Sequence, residues 1–420
     1  MNSNELVQRI KKWQANPHFH PLTCGVDSGH EILEPVEKDG KVSLVCPTCG
    51  WVQSYMPAVF DLPEPPTRGV GETTMKHQAT STVNRGKAIT LATKPKKSVW
   101  RSEGIALFFG DSLEHYHEWG QPVVIISDGG YGILGFEGDT SDHLDLPSWY
   151  ESHVKAWSQY ATPQTTLWFW NSEIGWAAVH PILEKYGWRY QNCNIWNKGL
   201  AHIAGNVNTK AIRRFPVVSE VCVQYTFEAR IDGLQLKQWL LREWTRSGLP
   251  RRKANEACGV IDAATRKYFD QGHLWYFPPI EMFTKIQAFA NTHGDPKGRP
   301  YFSLDGKQPL TAEEWGKMRS KFRCPHGFTN VWDRVPVNGS ERVKASGRAV
   351  HLNQKPLDLM KRIVEASSDE GDVIWEPFGG LFTASLAAWS LRRKAFAAEI
   401  DSTYFQYGVK RFDQNLFQFE

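Results

Sequence analysis

The stretch that most constrains this chain is Gly371-Asp372-Val373-Ile374-Trp375-Glu376-Pro377-Phe378-Gly379-Gly380-Leu381-Phe382-Thr383-Ala384. Val373, Ile374 and Trp375 form a short apolar run with the length of a buried strand. Glu376 and Pro377 end it, and two glycines permit a tight turn before an apolar helix expected from about Thr383 to Leu391. A second apolar run, Ala395-Phe396-Ala397-Ala398, leads to Glu399-Ile400-Asp401. Strand, glycine turn, helix, strand and acid is the layout that wraps a nucleoside-bearing cofactor in a doubly wound sheet. The glycines allow close backbone approach, and Glu399 can accept from ribose hydroxyls. The spacing does not fit the dinucleotide fingerprint, and no phosphate-binding G-x-x-x-x-G-K-[ST] loop occurs in this region. Taken alone, the segment also reads as a packed βαβ unit without a ligand.

Further strands lie upstream. Ile105–Phe109 delivers Gly110-Asp111 at its tip, and Pro122–Ser127 delivers Asp128-Gly129-Gly130-Tyr131-Gly132. Ligands of open α/β sheets bind at such carboxyl ends. Residues 132–147, rich in glycine and acids, read as a mobile loop able to close over a bound group. A helix from about Ser148 to Tyr160, a strand Thr165–Asn171, a helix Val179–Tyr186, a strand at Asn194–Trp196 and a strand Val217–Tyr225 complete this half.

The segment His351-Leu352-Asn353-Gln354-Lys355-Pro356 joins these pieces. Here the sequence resembles the amino-methyltransferases that modify adenine or cytosine in DNA. In that family H-x-x-Q-K-P precedes D-P-F-x-G-S-G, G-D-x-L-E opens the sheet, and D-P-P-Y carries the chemistry. The resemblance covers roughly residues 101–230 and 346–410, in the permuted β-type order with the catalytic motif ahead of the cofactor motif. It implies an S-adenosylmethionine pocket built from Asp111, Asn353, Gln354, Lys355, Glu376, Phe378, Gly379, Gly380, Thr383 and Glu399. It also puts Asp128, Gly129, Gly130 and Tyr131 in the place of D-P-P-Y. An exocyclic amine is a poor nucleophile because its lone pair delocalises into the ring. Two acceptors drawing on its hydrogens, the Asp128 carboxylate and the Gly129 carbonyl, push the nitrogen toward tetrahedral geometry. The Tyr131 ring would hold the flipped base by stacking. Both family prolines are glycine here, which loosens the motif unless its surroundings hold it.

Residues 1–60 read as a separate zinc-ribbon module. Cys46 and Cys49 form a C-x2-C knuckle followed by Gly50, the run from Val42 to Val45 leads into it as a strand, and Cys24 with His30 supplies the other half of a tetrahedral site. His20 is the rival to His30. Seven cysteines is an odd count, so disulfides are not the expected framework. Residues 61–100, rich in Pro, Thr and Lys, read as a linker. The 420-residue length calls for two or three modules, and 41% apolar residues support a real core. With no apolar run of membrane-spanning length and no signal-peptide core, a soluble, cytoplasmic protein in a prokaryotic or phage setting is expected. A net charge of +4 is compatible with nucleic acid without diagnosing it.

The catalytic half is assigned to residues 101–230 and the cofactor half to 346–420. Residues 231–345 interrupt the sheet as a helical target-recognition region. Arg251 to Phe269 follow a helix, glycine turn and second helix, the helix-turn-helix pattern, with Asp262 as N-cap. Thr265, Arg266 and Lys267 suit base edges and phosphates, although a purely packing αα-hairpin is the alternative. The family likeness turns the loop bearing Arg213 and Arg214 toward DNA as well.

The expected molecule is thus a doubly wound, Rossmann-like, seven-stranded-type methyltransferase sheet with an inserted recognition region and an N-terminal zinc ribbon. Its expected function is site-specific, S-adenosylmethionine-dependent methylation of double-stranded DNA. Adenine N6 is favoured, because an acid at the first motif position mostly accompanies adenine in the resembling families; Ser127 keeps cytosine N4 open. A non-catalytic DNA-binding protein retaining the fold is the rival. A cognate restriction nuclease and a homodimer are the protein partners considered.

Overall fold

The computed structural model describes residues 3–15, 22–24, 30–38, 41–53, 98–134, 138–199, 215–296, 298–324 and 326–416. The chain divides into two compact units, residues 1–92 with 203–216 and residues 93–202 with 217–420.

In the first unit α1 (Ser3–Gln14) packs beside an antiparallel sheet of β1 (Glu34–Lys38), β2 (Lys41–Val45) and β3 (Val52–Gln53). Among the described residues its core is small: Ile10, Leu33 and Leu44 together with Cys24 and Cys46. The Gln14 side chain bridges α1 to the chain, donating to the Leu33 carbonyl at 2.8 Å and accepting from the Leu22 amide at 3.1 Å. So little buried surface is marginal for an independent module without a cross-link or metal.

The second unit is built on a nine-stranded mixed sheet. Its strands in chain order are β4 (Val99–Ser102), β5 (Ile105–Phe109), β6 (Val124–Ser127), β7 (Thr166–Asn171), β8 (Trp188–Asn197) and β9 (Ser219–Phe227). Two short hairpins, β10 (Arg230–Ile231) with β11 (Leu234–Gln235) and β13 (Lys344–Ala345) with β14 (Arg348–Ala349), flank β12 (Val331–Asp333) in sequence. The last strands are β15 (Val373–Glu376) and β16 (Lys394–Glu399), and the sheet order is β12-β8-β9-β7-β6-β15-β16-β5-β4. From β7 to β5 all neighbours are parallel, so β6, β15, β16 and β5 present their carboxyl ends along one edge.

Strand residues alternate between two cores. Ile105, Leu107, Val124, Ile126, Trp168 and Trp170 face one side, whereas Ala106, Phe108, Ile125, Leu167 and Phe169 face the other. The first face is covered by α8 (Leu357–Ser367), α9 (Thr383–Ser390) and α10 (Ser402–Leu416). The second is covered by α2 (Leu146–Tyr160) and α3 (Glu173–Lys185). Helix α8 buries Leu359, Met360, Ile363 and Val364, one stripe at helical spacing. Helix α9 is buried nearly all round, from Thr383 to Ala388. A third core, with Trp239, Trp244 and Trp315, unites α4 (Leu236–Arg246), α5 (Lys253–Cys258), α6 (Ile280–His293) and α7 (Ala312–Gly316). Within it the fully buried Glu243 is paired with Arg246 at 2.8 Å and Arg299 at 2.9 Å. Among the described residues no helix is long and apolar enough to cross a membrane.

Several sequence expectations need correction. Val99 and Trp100, placed in the linker, belong to β4, because the 98–102 segment pairs antiparallel with β5. The 231–345 region is not wholly separate from the catalytic sheet: Val331–Asp333 is its edge strand, parallel to β8. Among the described residues the sheet therefore has nine strands: the seven expected ones, in the order β8-β9-β7-β6-β15-β16-β5, with β12 and β4 added at its two edges. Helix α3 starts six residues before the expected Val179, where the Ser172 side chain caps it by accepting from the Gly175 amide. The expected helix-turn-helix has a six-residue first helix ending at Gly259, whose φ of 68° is left-handed, and its second element is a single π-helical turn, Ala264–Tyr268. Ala263, not Asp262, is the N-cap of that turn, and no side chain caps it.

Candidate active site

Four adjacent strand ends define the site. Asp128 follows β6, Glu376 ends β15, Glu399 ends β16 and Asp111 follows β5. All four acids line one cavity of about 260 Å³. It is also lined by Gly129, Tyr131, Asn353, Gln354, Lys355, Phe378, Gly379, Gly380 and Thr383; of the expected catalytic and cofactor residues only Gly130 is outside the lining.

The wall formed by the glycine turn is dense with backbone hydrogen bonds. The buried Glu376 carboxylate accepts from the amides of Ala384 and Ser385 at 3.0 and 2.7 Å and from the Ser385 hydroxyl at 2.6 Å, so it closes the first turn of α9. Glu399 accepts from the Gly380 amide at 2.6 Å and the Asp401 amide at 2.7 Å. Burial pushes both carboxyls up to about 7, against these hydrogen bonds. Gly379 donates to the Ala398 carbonyl at 2.8 Å, Gly380 has a φ of 52°, and Phe382 sits at 54°, a left-handed value that a non-glycine residue rarely takes. Asp111 accepts from the Leu113 amide at 2.9 Å, and the Thr383 hydroxyl accepts from Arg411 at 3.0 Å. Asn353 lies at the cavity with its backbone N–H donating to His351 Nδ1 at 3.1 Å, and the His351 ring stands 4.5 Å from that of Tyr404. Asp401 and Tyr404, which sequence reasoning did not select, share the wall. Gln354 lines the cavity too, and its side-chain amide accepts from the Val343 amide at 3.0 Å and donates to the Glu341 carbonyl at 3.0 Å, so both ends hold the segment leading into β13.

The Asp128 corner has its own supports. Asp128 Oδ1 accepts from the Tyr131 hydroxyl at 2.9 Å and from Lys355 Nζ at 2.7 Å. Lys355 thus belongs to this corner as much as to the cofactor wall, and a second acid, Glu220 of β9, lies 3.3 Å from its ammonium. Glu220 in turn pairs with Lys198. Burial alone would lower the Lys355 pKa, but Asp128 and Glu220 outweigh it and hold the value above normal. Burial would raise Glu220, yet Lys355 and Lys198 together hold it below the usual carboxylate range.

The glycines at 129 and 130 are also accounted for. A Cβ on Gly129 would lie 2.6 Å from Phe378 Cδ2 and 2.7 Å from the Tyr150 hydroxyl, so the cavity wall leaves no room for one. The Gly130 carbonyl accepts from Asn171 Nδ2 at 2.8 Å and Tyr150 Oη at 3.1 Å. The Asp139 carboxylate gathers the amides of Tyr131, Gly132 and Ile133 at 3.0, 2.9 and 3.2 Å. The described parts of the 132–147 loop are therefore tied down, with Trp149 Nε1 also donating to the Gly138 carbonyl at 2.9 Å.

Glu220, Lys198, Asp139, Tyr150 and Asn171 were missed from sequence. One signal was available for Glu220: a charge inside the apolar run Val217–Tyr225 must find a partner.

Other expected sites fall elsewhere. Cys24, His30, Cys46 and Cys49 have all their ligand atoms within 4.8 Å of one another. The Cys24 and Cys49 sulfurs are 3.5 Å apart, close to the ~3.8 Å that Zn–S bonds of about 2.3 Å give in a tetrahedron. His20, Arg213 and Arg214 lie outside the described residues. Thr265 is engaged internally, its hydroxyl donating to the Asp262 carbonyl at 3.0 Å and accepting from Asn255 at 3.1 Å, so it is not free to read a base. Arg266 and Lys267 are exposed, with Arg266 3.4 Å from Asp262.

A doubly wound sheet whose carboxyl edge joins an acid–aromatic corner to a glycine-turn wall is the framework of a nucleoside-cofactor transferase. Residues 123–410 match the family model for the N6/N4 DNA methylases, described as DNA methylase, and the chain belongs to that family. It is 40% identical over 84 residues to the DNA adenine methyltransferase YhdJ of Escherichia coli (strain K12), a match covering 20% of this chain and 27% of that protein. It is 30% identical over 165 residues to the type II methyltransferase M.HpaI of Haemophilus parainfluenzae, covering 38% of this chain and 50% of that protein. The chain thus spans between about a quarter and a half of the length of these curated relatives. Among solved structures, the cytosine-N4-specific PvuII DNA methyltransferase aligns with a TM-score of 0.45 at 12% identity, over 73% of this chain and 86% of that one.

Proposed function

We propose that this protein transfers a methyl group from S-adenosylmethionine to an exocyclic amino group of duplex DNA, adenine N6 in preference to cytosine N4. The observation that carries this reading is the single cavity shared by the Asp128–Tyr131 corner and the glycine-turn wall. The lining suits a cationic nucleoside: Asp111, Glu399 and Asp401 offer acceptors, and Phe378 and Tyr404 offer ring faces. When bound, S-adenosylmethionine supplies an electrophilic methyl. The chain's own part is to orient the amine. Asp128 Oδ1 is occupied by Tyr131 and Lys355, while among the described residues Oδ2 carries no hydrogen bond and is open to an amine hydrogen. The Gly129 carbonyl is the second acceptor, and its neighbour at Gly130 is held by Asn171 and Tyr150.

This scaffold favours catalysis over a fold retained only for DNA binding, because the rigidity the missing prolines would confer has another source. Adenine is favoured because Ser127 is fully buried and outside the cavity lining, while Asp128 lines it. The adenine specificity in the name of YhdJ points the same way. Strand β6 precedes β15 in the chain, consistent with the permuted β-type order. Arg266 and Lys267 are the phosphate contacts we assign within the described recognition region, and Arg213 and Arg214 remain part of the proposal. Cys24, His30, Cys46 and Cys49 would hold a structural zinc. A bacterial or phage setting, a nuclease of matching specificity and a second copy of the chain complete the reading.

Digesting DNA methylated by the protein to nucleosides and weighing the product tests the choice of base. N6-methyladenine is expected; N4-methylcytosine alone would overturn the base and leave amino methylation standing.

A further inference from the structure

The corner contains two charged groups that amine orientation does not itself require, Glu220 and Lys198. Lys355 reaches Asp128 from the turn ahead of α8, and its side chain is only 4% exposed. Its Nζ lies 2.7 Å from Asp128 Oδ1, 3.3 Å from Glu220 Oε2 and 3.2 Å from the Tyr131 hydroxyl. It also sits over the rings of Tyr131 and Trp170, at 5.4 and 5.3 Å from their centroids. Glu220 Oε1 pairs with Lys198, whose side chain is 10% exposed. Lys198, Glu220, Lys355 and Asp128 therefore form one row of alternating charge that sums to zero, buried at Lys355 and partly exposed at Asp128.

Each member has a physical reason to be there. A buried ammonium with one carboxylate is neutral as a pair, but its remaining donors need further acceptors in a low-dielectric site. Glu220 shares that ammonium, holding it between two acids, and Lys198 balances the acid so introduced. The balance matters for chemistry as well as folding. Positive charge builds on the amine nitrogen as it takes the methyl, and a neighbouring excess cation raises the energy of that state. We propose that Glu220 is a positioning residue for methyl transfer: acting through Lys355, it sets the orientation of Asp128 and keeps the corner electrically neutral. The inference rests on the methyl-transfer reading of this corner.

The test is single-turnover transfer of labelled methyl to DNA by the 420-residue chain and three variants. Melting temperature and S-adenosylmethionine calorimetry are recorded on the same preparations. Glu220→Gln removes one negative charge and leaves the row at a net positive charge. Its transfer rate should fall by about 10- to 100-fold, with cofactor affinity and DNA KM within about twofold of the parent. Glu220→Asp keeps the charge and should recover most of the rate. Combining Lys198→Met with Glu220→Gln makes the row neutral again and should be faster than Glu220→Gln alone. A residue that merely supports packing would make the double variant no better than the single one, and that result overturns the inference. So does a Glu220→Gln protein that transfers at the parental rate. If the parent transfers nothing, the methyltransferase reading itself fails and takes this inference with it, an outcome distinct from the other two.

Discussion

At residue 129 a methyl group decides whether the corner can close. Gly129 packs under Phe378 and Tyr150 so tightly that a Cβ would come within 2.7 Å of both. Gly129→Ala should therefore destabilise the second unit by about 1–3 kcal/mol, the usual range for overpacking, measurable by urea denaturation. Gly130→Ala should cost less, because the nearest atom its Cβ would meet, Asp139 Oδ1, lies at 3.0 Å rather than 2.6 Å. The Asp128-Gly129-Gly130-Tyr131 motif could be picked out from its place after an apolar strand and between Gly110-Asp111 and the cofactor segments, through the family resemblance rather than from local order alone. The reason for its glycines could not. Phe378 lies 249 positions away on another strand end, and no local pattern announces that its ring will occupy the space a proline would need. Glu220 and Lys198 were hidden for a similar reason: antiparallel β8 and β9 bring them back to the corner from a separate part of the chain.

At the level of elements, the β15–α9–β16 unit was readable because each apolar run is bounded by glycine or charge, and its strands and helix fall within a residue or two of expectation. The helix-turn-helix was not, because Asn255 takes both the amide and hydroxyl of Thr265 and the second helix shrinks to one turn. The strand ends also carry a proton balance. Glu376 and Glu399 titrate near 7 instead of 4.5, so between those values the folded state binds more protons than the unfolded chain, and stability falls as pH rises. His153 and His351 are pushed by burial from 6.5 to about 4, so over that span the unfolded chain binds more protons and stability rises with pH. From pH 4.5 to 6.5 the two pairs offset each other. Denaturant melts of the parent should show a nearly flat contribution across this window. Glu399→Gln deletes one falling component, so its stability should rise with pH there, by up to about 1.4 kcal/mol per unit. A variant that stays as flat as the parent would contradict the assignment.

On the scale of the whole molecule, the two units rest on different physics. Among its described residues the first has five buried apolar or cysteine residues in its core, and the proposed zinc would supply much of its stability. Freshly purified protein should carry about one zinc per chain by elemental analysis. Replacing Cys46 and Cys49 together by serine should release it and unfold that unit alone, seen as loss of protease protection confined to the N-terminal segment. The second unit buries two extensive cores on either side of its nine-stranded sheet and should be unaffected. The central claim concerns the cavity at the edge of that sheet. Its most direct test is transfer of tritium from labelled S-adenosylmethionine to duplex DNA by the parent and by Asp128→Ala. The account predicts transfer by the parent, and loss of about 10²–10³ in rate in the variant with cofactor binding retained. Transfer by Asp128→Ala at the parental rate would contradict it.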